Sequence, residues 1–491
     1  MRFPGFIGPA YTLSSVNVEC QRCVNLYPEQ IETGTGKEGE AFHFVNTPGL
    51  RKLLEVGIGP IRLIHVDPSD RIFVASADKL YKINYSGTVW SALELGTLST
   101  SSGTVKAAST LLVNGDSITV FVDGEDSYAY RYLSAVETFG TFASFAYEQV
   151  DGATHVEFID GYFIYNKPDS SQFFVSEWGA FGVDPLSFAS AEGDPDNVVA
   201  LIANHRDLWL INERSTEVWV NTGNADFPFN RASGGFIEVG CVAPFSVAKI
   251  SGINFWLGRD KEGQGVVVSA QGTSPQRIST HAIEHAIKGY AIDSIKSADA
   301  YTYHDGGHSF YVLNFAEATW VYDLTTKMWH ERAYNNEGTL ERHRTSYHAF
   351  VPQYGFHLAG DYANNKIYII EDSSYSDDES PIIRMRSSPH LSGQMKGVFC
   401  HSFQLDMEVG IGLDGGVQGE DPMIMMDFSD DGGHSWSNEK WISAGKIGTF
   451  KTRAIWRRLG RFRDRVFRIK ISEPVRVRIL GAELELEVGK S

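Results

Sequence analysis

The sequence predicts an all-β chain: a six- or seven-bladed β-propeller with an N-terminal arm and a C-terminal β domain. Three observations lead there. A strand–turn–strand unit recurs seven times, its starts roughly 45 residues apart, the period of a four-stranded propeller blade. Its turns carry Asp123-Gly124, Asp160-Gly161, Asp305-Gly306 and Asn364-Asn365, residue types that tolerate the positive φ of tight hairpins. Aromatics reach 12%, which suits sheets, and the best helical candidate is confined to residues 281–297.

The units follow in order. The first is Arg71-Ile-Phe-Val-Ala-Ser76 with Leu80-Tyr-Lys-Ile83, and the second Ile118-Thr-Val-Phe-Val122 with Tyr128-Ala-Tyr-Arg131. The third pairs 161–165 with 173–176, the fourth 207–211 with 217–220, and the fifth 253–257 with 266–269. After a wider gap come 310–313 with 319–324, then 356–359 with 366–370. One hairpin cannot bury its apolar face alone, whereas blades stacked around an axis cover each other's faces. The count stays at six or seven, because one hairpin could belong to a neighbouring domain or the ring could close with a strand from elsewhere. These limits give an arm over residues 1–57, a propeller over 58–375 and, past the polar stretch after Asp372, a β domain over 376–491.

Composition narrows the function. A formal net charge of −18 disfavours gripping DNA, since such affinity comes from Lys and Arg displacing counterions. The four cysteines, Cys20, Cys23, Cys241 and Cys400, contain one close pair without the second ligand pair that a zinc site needs, so no metal is expected. The start of the sequence lacks a signal-peptide core, and no stretch approaches the roughly 18 apolar residues of a membrane span. A soluble product of a cytoplasm is the expectation.

Two constellations stand out. Ser429, Asp431, Gly433 and Trp436 fit the Asp-box Ser-x-Asp-x-Gly-x-x-Trp, in which the Asp ties its own turn, the Gly supplies positive φ and the Trp packs beneath. The box forms a turn and catalyses nothing. A basic run holds Arg457, Arg458, Arg461, Arg463, Arg465 and Arg468, a candidate partner or assembly surface in an acidic chain. Beyond it, Arg476 and Arg478 alternate with apolar residues, as do Glu483, Glu485 and Glu487; a hairpin bent at Gly481 would set Arg opposite Glu. There is no nucleophile elbow, Walker loop, dinucleotide fingerprint or His-Glu-x-x-His, so no catalytic residue and no cofactor are assigned. Asp305 and Asp372 read as separate turn residues. A glycan-binding or glycan-cleaving virion propeller is the rival function; its platform candidates are Trp209, Trp219, Trp256 and Trp320, whose strand contexts favour core positions.

The opening segment, Gly8-Pro-Ala-Tyr-Thr-Leu-Ser-Ser-Val-Asn-Val-Glu-Cys-Gln-Arg-Cys-Val-Asn-Leu-Tyr-Pro-Glu29 with Asn46-Thr-Pro-Gly-Leu50, resembles that of the packaged-DNA stabilization proteins of short-tailed bacteriophages (podoviruses), also called tail hub, head-completion or nozzle proteins. The closing run from Trp456 to Ile471 is similar to theirs too. The resemblance implies a non-enzymatic virion tail protein, made in the bacterial host cytoplasm. It would assemble as a homohexameric ring below the portal and its adaptor ring. Such a ring extends the channel for double-stranded DNA, which passes without sequence-specific binding, retains the packaged genome and supports its ejection. The implied partners are the adaptor ring and tailspike, fibre or needle proteins. The Cys20/Cys23 pair and the Asp-box depart from Salmonella-phage relatives and leave the attached spike, needle or fibre open.

Overall fold

The computed structural model describes the chain except residues 33–40, 113, 149, 225, 260–264, 394–395 and 490–491. Seven four-stranded antiparallel blades close the ring. The first five occupy residues 61–97, 106–141, 156–190, 198–237 and 248–277, and the sixth 299–336. Blade 7 takes three strands, Thr345–Val351, Phe356–Asp361 and Lys366–Glu371, and completes itself with Gly49–Glu55 from before blade 1. That fourth strand runs antiparallel to the third, with Gly49 opposite Glu371 and Glu55 opposite Lys366. The chain's two distant parts thus latch the ring, and blade 7 keeps its outer edge covered.

Each hairpin visible in the sequence is the second and third strand of a blade. Ile72–Ser76 and Ser117–Val122 are buried at every position because strands flank them and blades cover both faces. Outer strands such as Trp90–Thr97 are mostly exposed. The gap before the sixth unit is filled by two short helices, His281–Lys288 and Ile292–Lys296. Thr280 caps the first by accepting from the Ile283 N–H, and Ala282, Ile283 and Ile287 anchor it in the core. Asp160 and Gly161, at φ of 51° and 94°, and Gly124 and Gly306 take the left-handed backbone at their turns. Asn364 and Asn365 do not; Asn364 Oδ1 instead accepts from the Lys366 N–H at 2.9 Å.

The rest is a β-sandwich. One sheet orders Leu26–Gln30, Phe42–Asn46, Arg478–Val488, Val398–Met407 and Ala454–Phe462. The facing sheet runs on from blade 6: its outer strand Met328–Asn336 is followed by Cys23–Val24, Arg384–Ser387, Asp464–Ile471, Met423–Ser429 and Lys440–Ser443. Phe6, Phe44, Phe403, Trp456 and Phe467 pack between the sheets. Residues 1–57 therefore form no separate arm. Leu26–Gln30 and Phe42–Asn46 are sandwich strands, Phe3 and Phe6 join their core, and 49–55 finish the propeller. Their polar, glycine-containing text hid this, because Phe3, Phe6, Leu26 and Phe44 sit in a core made mostly by the far end of the chain. Arg386 holds the segment down: wholly buried, it donates to the carbonyls of Phe6 at 2.8 Å, Pro9 at 3.0 Å and Gly5 at 3.2 Å.

Propeller and sandwich meet in continuous sheet. Val24 lies parallel to Glu331 of blade 6 and antiparallel to Met385 of the sandwich. Next to it Asn25 adopts φ 53°; its side chain accepts from the Ala333 N–H at 3.0 Å and donates to the carbonyls of Ala333 and Ile383, both at 2.9 Å. One buried amide thus satisfies three backbone groups on two bodies.

Candidate assembly surface

The outward face of the sandwich sheet is sorted by charge. Its edge strand Ala454–Phe462 carries Arg457, Arg458 and Arg461, Val398–Met407 follows, and Arg478–Val488 comes next. Register sets Arg461 and Glu487 on either side of Phe399, and Arg457 and Glu485 on either side of Ser402. Glu485 accepts from Ser402 at 3.0 Å, and Glu487 lies 3.1 Å from His401 Nε2. Strand Arg478–Val488 passes straight through Gly481, whose φ of 158° is extended, so the hairpin expected there does not form. Arg476 pairs instead with Glu408, and Arg478 with Glu29 at 3.3 Å. The glutamates face the arginines of another strand two places away. Alternation revealed the strand, but not its neighbour.

The six arginines divide. Arg457, Arg458, Arg461 and Arg463 are exposed. Arg458, at φ 59°, sits in a bulge that breaks register with His401, and Arg461 lies 5.7 Å from the Phe399 ring. Arg465 is internal: 2% exposed, it pairs with Asp430, donates to the Leu459 carbonyl and stacks 3.9 Å from Phe428 and 4.4 Å from Phe462. Arg468 pairs with Asp427 and covers Trp436 at 3.7 Å. These two are packing residues of the sandwich. Among the described residues no strand pairs with the outer side of Ala454–Phe462, so a charged, bulged edge is presented to the surroundings. Phe399, 41% exposed between the two columns of charge, belongs to this face. Its alternation with buried Val398 and Cys400 was the signal that could have found it.

The Asp-box caps the strand Met423–Ser429. Ser429 Oγ donates to Asp431 Oδ1 at 2.6 Å and accepts from the Gly433 N–H at 2.8 Å. Asp431 also accepts from the Ser435 N–H at 2.9 Å, and these hydrogen bonds hold its carboxyl well below the usual range. Gly433 sits at φ 101°. The turn lies against the N-terminal segment: a Cβ on Gly432 would stand 2.1 Å from Asn17 Oδ1, and one on Gly433 3.4 Å from Cys20 Sγ.

The other candidates are structural. Cys20 and Cys23 are free and buried; desolvation pushes their thiols up to about 11 and about 12. Among the described residues no group of three His, Cys, Asp or Glu side chains could hold a metal ion, and no helix is long and apolar enough to cross a membrane. Trp209, Trp219 and Trp256 are buried in the propeller, and Trp320 is partly buried with its indole donating to Tyr290 at 2.9 Å. Asp305 and Asp372, read as separate turns, meet in space. Burial and the Asp372 charge raise the Asp305 carboxyl to about 7.

Two family models match the chain: "Bacteriophage P22 Gp10, beta-propeller" over residues 16–375 and "Bacteriophage P22 Gp10, beta-sandwich" over residues 383–487. No curated protein matches it. Among solved structures, the Myceliophteria thermophila Cps50 (Swd1) β-propeller domain is 8% identical with a TM-score of 0.40, over 65% of this chain and 98% of that one. YCF48 from Cyanidioschyzon merolae is 9% identical with a TM-score of 0.41, over 66% and 99%. The extracellular domain of the putative hybrid two component system BT4673 from B. thetaiotaomicron is 9% identical with a TM-score of 0.42, over 86% and 56%.

Proposed function

Since the chain belongs to the bacteriophage P22 Gp10 family, a family of phage structural proteins, we propose that it is a non-enzymatic subunit of the tail nozzle. In this reading six copies form a ring below the portal and its adaptor, extend the DNA channel, retain the packaged genome and support its ejection. The observation that carries it is the pair of family matches over residues 16–375 and 383–487, which together take in both bodies of the fold. A net charge of −18 is consistent with a wall along which DNA slides without counterion release.

Arg457, Arg458, Arg461 and Arg463 serve assembly in this proposal, presenting the basic sandwich edge to an acidic surface of a neighbouring copy, of the adaptor, or of a spike, fibre or needle protein. What supports it is their exposure on or just past an edge strand that, among the described residues, has no neighbour on its outer side, with a column of glutamates two strands away. Arg465 and Arg468 drop out of the proposed surface, being committed to Asp430 and Asp427. The glycan reading loses its four tryptophans, since three are buried and Trp320 is engaged by Tyr290.

Immunogold labelling of virions tests the location. Label on the tail axis beneath the portal is expected; label out on fibres, or none on particles, overturns the nozzle reading. For the arginines the variant is R457E/R461E supplied in trans to a phage lacking the gene. Particles should exclude it, and incorporation at the wild-type level removes those arginines from assembly.

A further inference from the structure

A cavity of about 650 Å³ opens where the innermost strands of blades 4 to 7 end. Its size suits a small-molecule ligand. The wall from blades 6 and 7 is made of rings. Tyr303 stands 6.0 Å from both His348 and His357; His348 stacks on His357 at 5.1 Å, and Phe350 leans on His357 at 4.9 Å. Phe350 is 46% exposed, a large aromatic left at the rim of a concave site. The wall from blades 4 and 5 is polar, with Asn204, His205 and Ser251, and Thr302 lies between the walls.

The polar groups and their charge narrow the ligand. Among the described residues no Asp or Glu lines the cavity, in a chain with a net charge of −18. Its lysine, Lys249, is already turned onto the Ala203 carbonyl. Two of the four imidazoles that line it, His348 and His357, are not cations; His205 and His304 are the others. Burial brings His348 down to about 3 and lowers His357, and the two share a hydrogen bond of 2.9 Å that requires one donor and one acceptor. Neutral imidazole, amide and hydroxyl groups donate and accept, as sugar hydroxyls do. Aromatic faces take the apolar C–H face of a pyranose.

We propose that this mouth of the propeller binds an uncharged saccharide unit, its C–H face against Phe350 and His357 and its hydroxyls toward the polar wall. The site is distinct from the assembly surface and calls for no hydrolysis.

Saturation-transfer NMR on the full chain tests it, with glucose, galactose, mannose and N-acetylglucosamine as probes beside glucuronate and inorganic phosphate. At least one neutral sugar should receive saturation. Its binding should weaken at least tenfold in F350A and in F350L, which keeps the bulk and removes the ring, and persist in W178A, an exposed tryptophan on blade 3 outside the cavity. The proposal falls if no neutral sugar is saturated, if only glucuronate or phosphate binds, or if F350L binds like the wild type.

Discussion

Asn25 is the most economical place to test how propeller and sandwich are joined. In N25A three hydrogen bonds to backbone groups disappear, and the Ala333 N–H stays buried without a partner. At about 1 kcal/mol net for each bond, the loss is about 3 kcal/mol. Alanine must also hold φ 53°, which adds about 1 kcal/mol. N25G loses the bonds but accepts the backbone, so it should cost about 3 kcal/mol where N25A costs about 4. With a factor of ten for each 1.4 kcal/mol, opening of the seam rises about a hundredfold in N25G and nearly a thousandfold in N25A. A chain of 491 residues with two bodies is a poor subject for a single unfolding free energy. Hydrogen exchange of peptides spanning Ala333 and Val24 reads the seam locally. Faster exchange there, in the order N25A, N25G, wild type, is the expected result. Wild-type protection of Ala333 in N25A would refute the assignment of the seam to this amide, and equal exchange in the two variants would refute the backbone part.

Three further outcomes follow from the same coordinates. G49A would put a Cβ 2.5 Å from the carbonyl oxygens of both Ser374 and Ser376, so the closing strand should lift from blade 7 and limited proteolysis should cut between residues 49 and 60. R386M removes the guanidinium that clasps Gly5, Phe6 and Pro9; at about 1.5 kcal/mol or more for each charged hydrogen bond, residues 1–10 should become protease-sensitive while the propeller stays protected. Acid should destabilise the fold. Burial holds His65 at about 4 and His155, His330 and His348 at about 3, below their unfolded 6.5, so their stabilising contribution is present above pH 6.5 and lost as pH falls toward 4. Asp305, raised to about 7, works the other way, as do the raised His308, Glu157 and Asp299. His43, His343 and His357 are lowered as well, so the lowered imidazoles outnumber the raised groups; the urea midpoint should fall from pH 7 to pH 5, and a midpoint that held or rose would contradict the sign.

What could be read from the sequence divides along a physical line. Strands covered on both faces, such as Ile72–Ser76, write continuous apolar runs that need no knowledge of their partners. Asp-Gly turns write themselves locally as well. Partner identity leaves no such trace. Gly49-Leu-Arg-Lys-Leu-Leu-Glu55 looks like a tail of the N-terminal segment until Lys366–Glu371 is known to lack an outer neighbour. Cys23–Val24 is two residues long, yet it stitches blade 6 to the sandwich, because Asn25 and Arg386 supply the bonds that its length cannot. The basic run shows the same limit. Arg465 and Arg461 look alike as text, each followed by an apolar or aromatic residue, Val466 and Phe462. One points between the sheets, where Asp430 and two phenylalanines receive it, and the other points out. The two lie on successive strands that join opposite sheets, Ala454–Phe462 and Asp464–Ile471, so strand parity alone does not carry the direction from one to the other. The candidates for the proposed assembly surface could be gathered by clustering, but which of them face outward could be chosen only from the register.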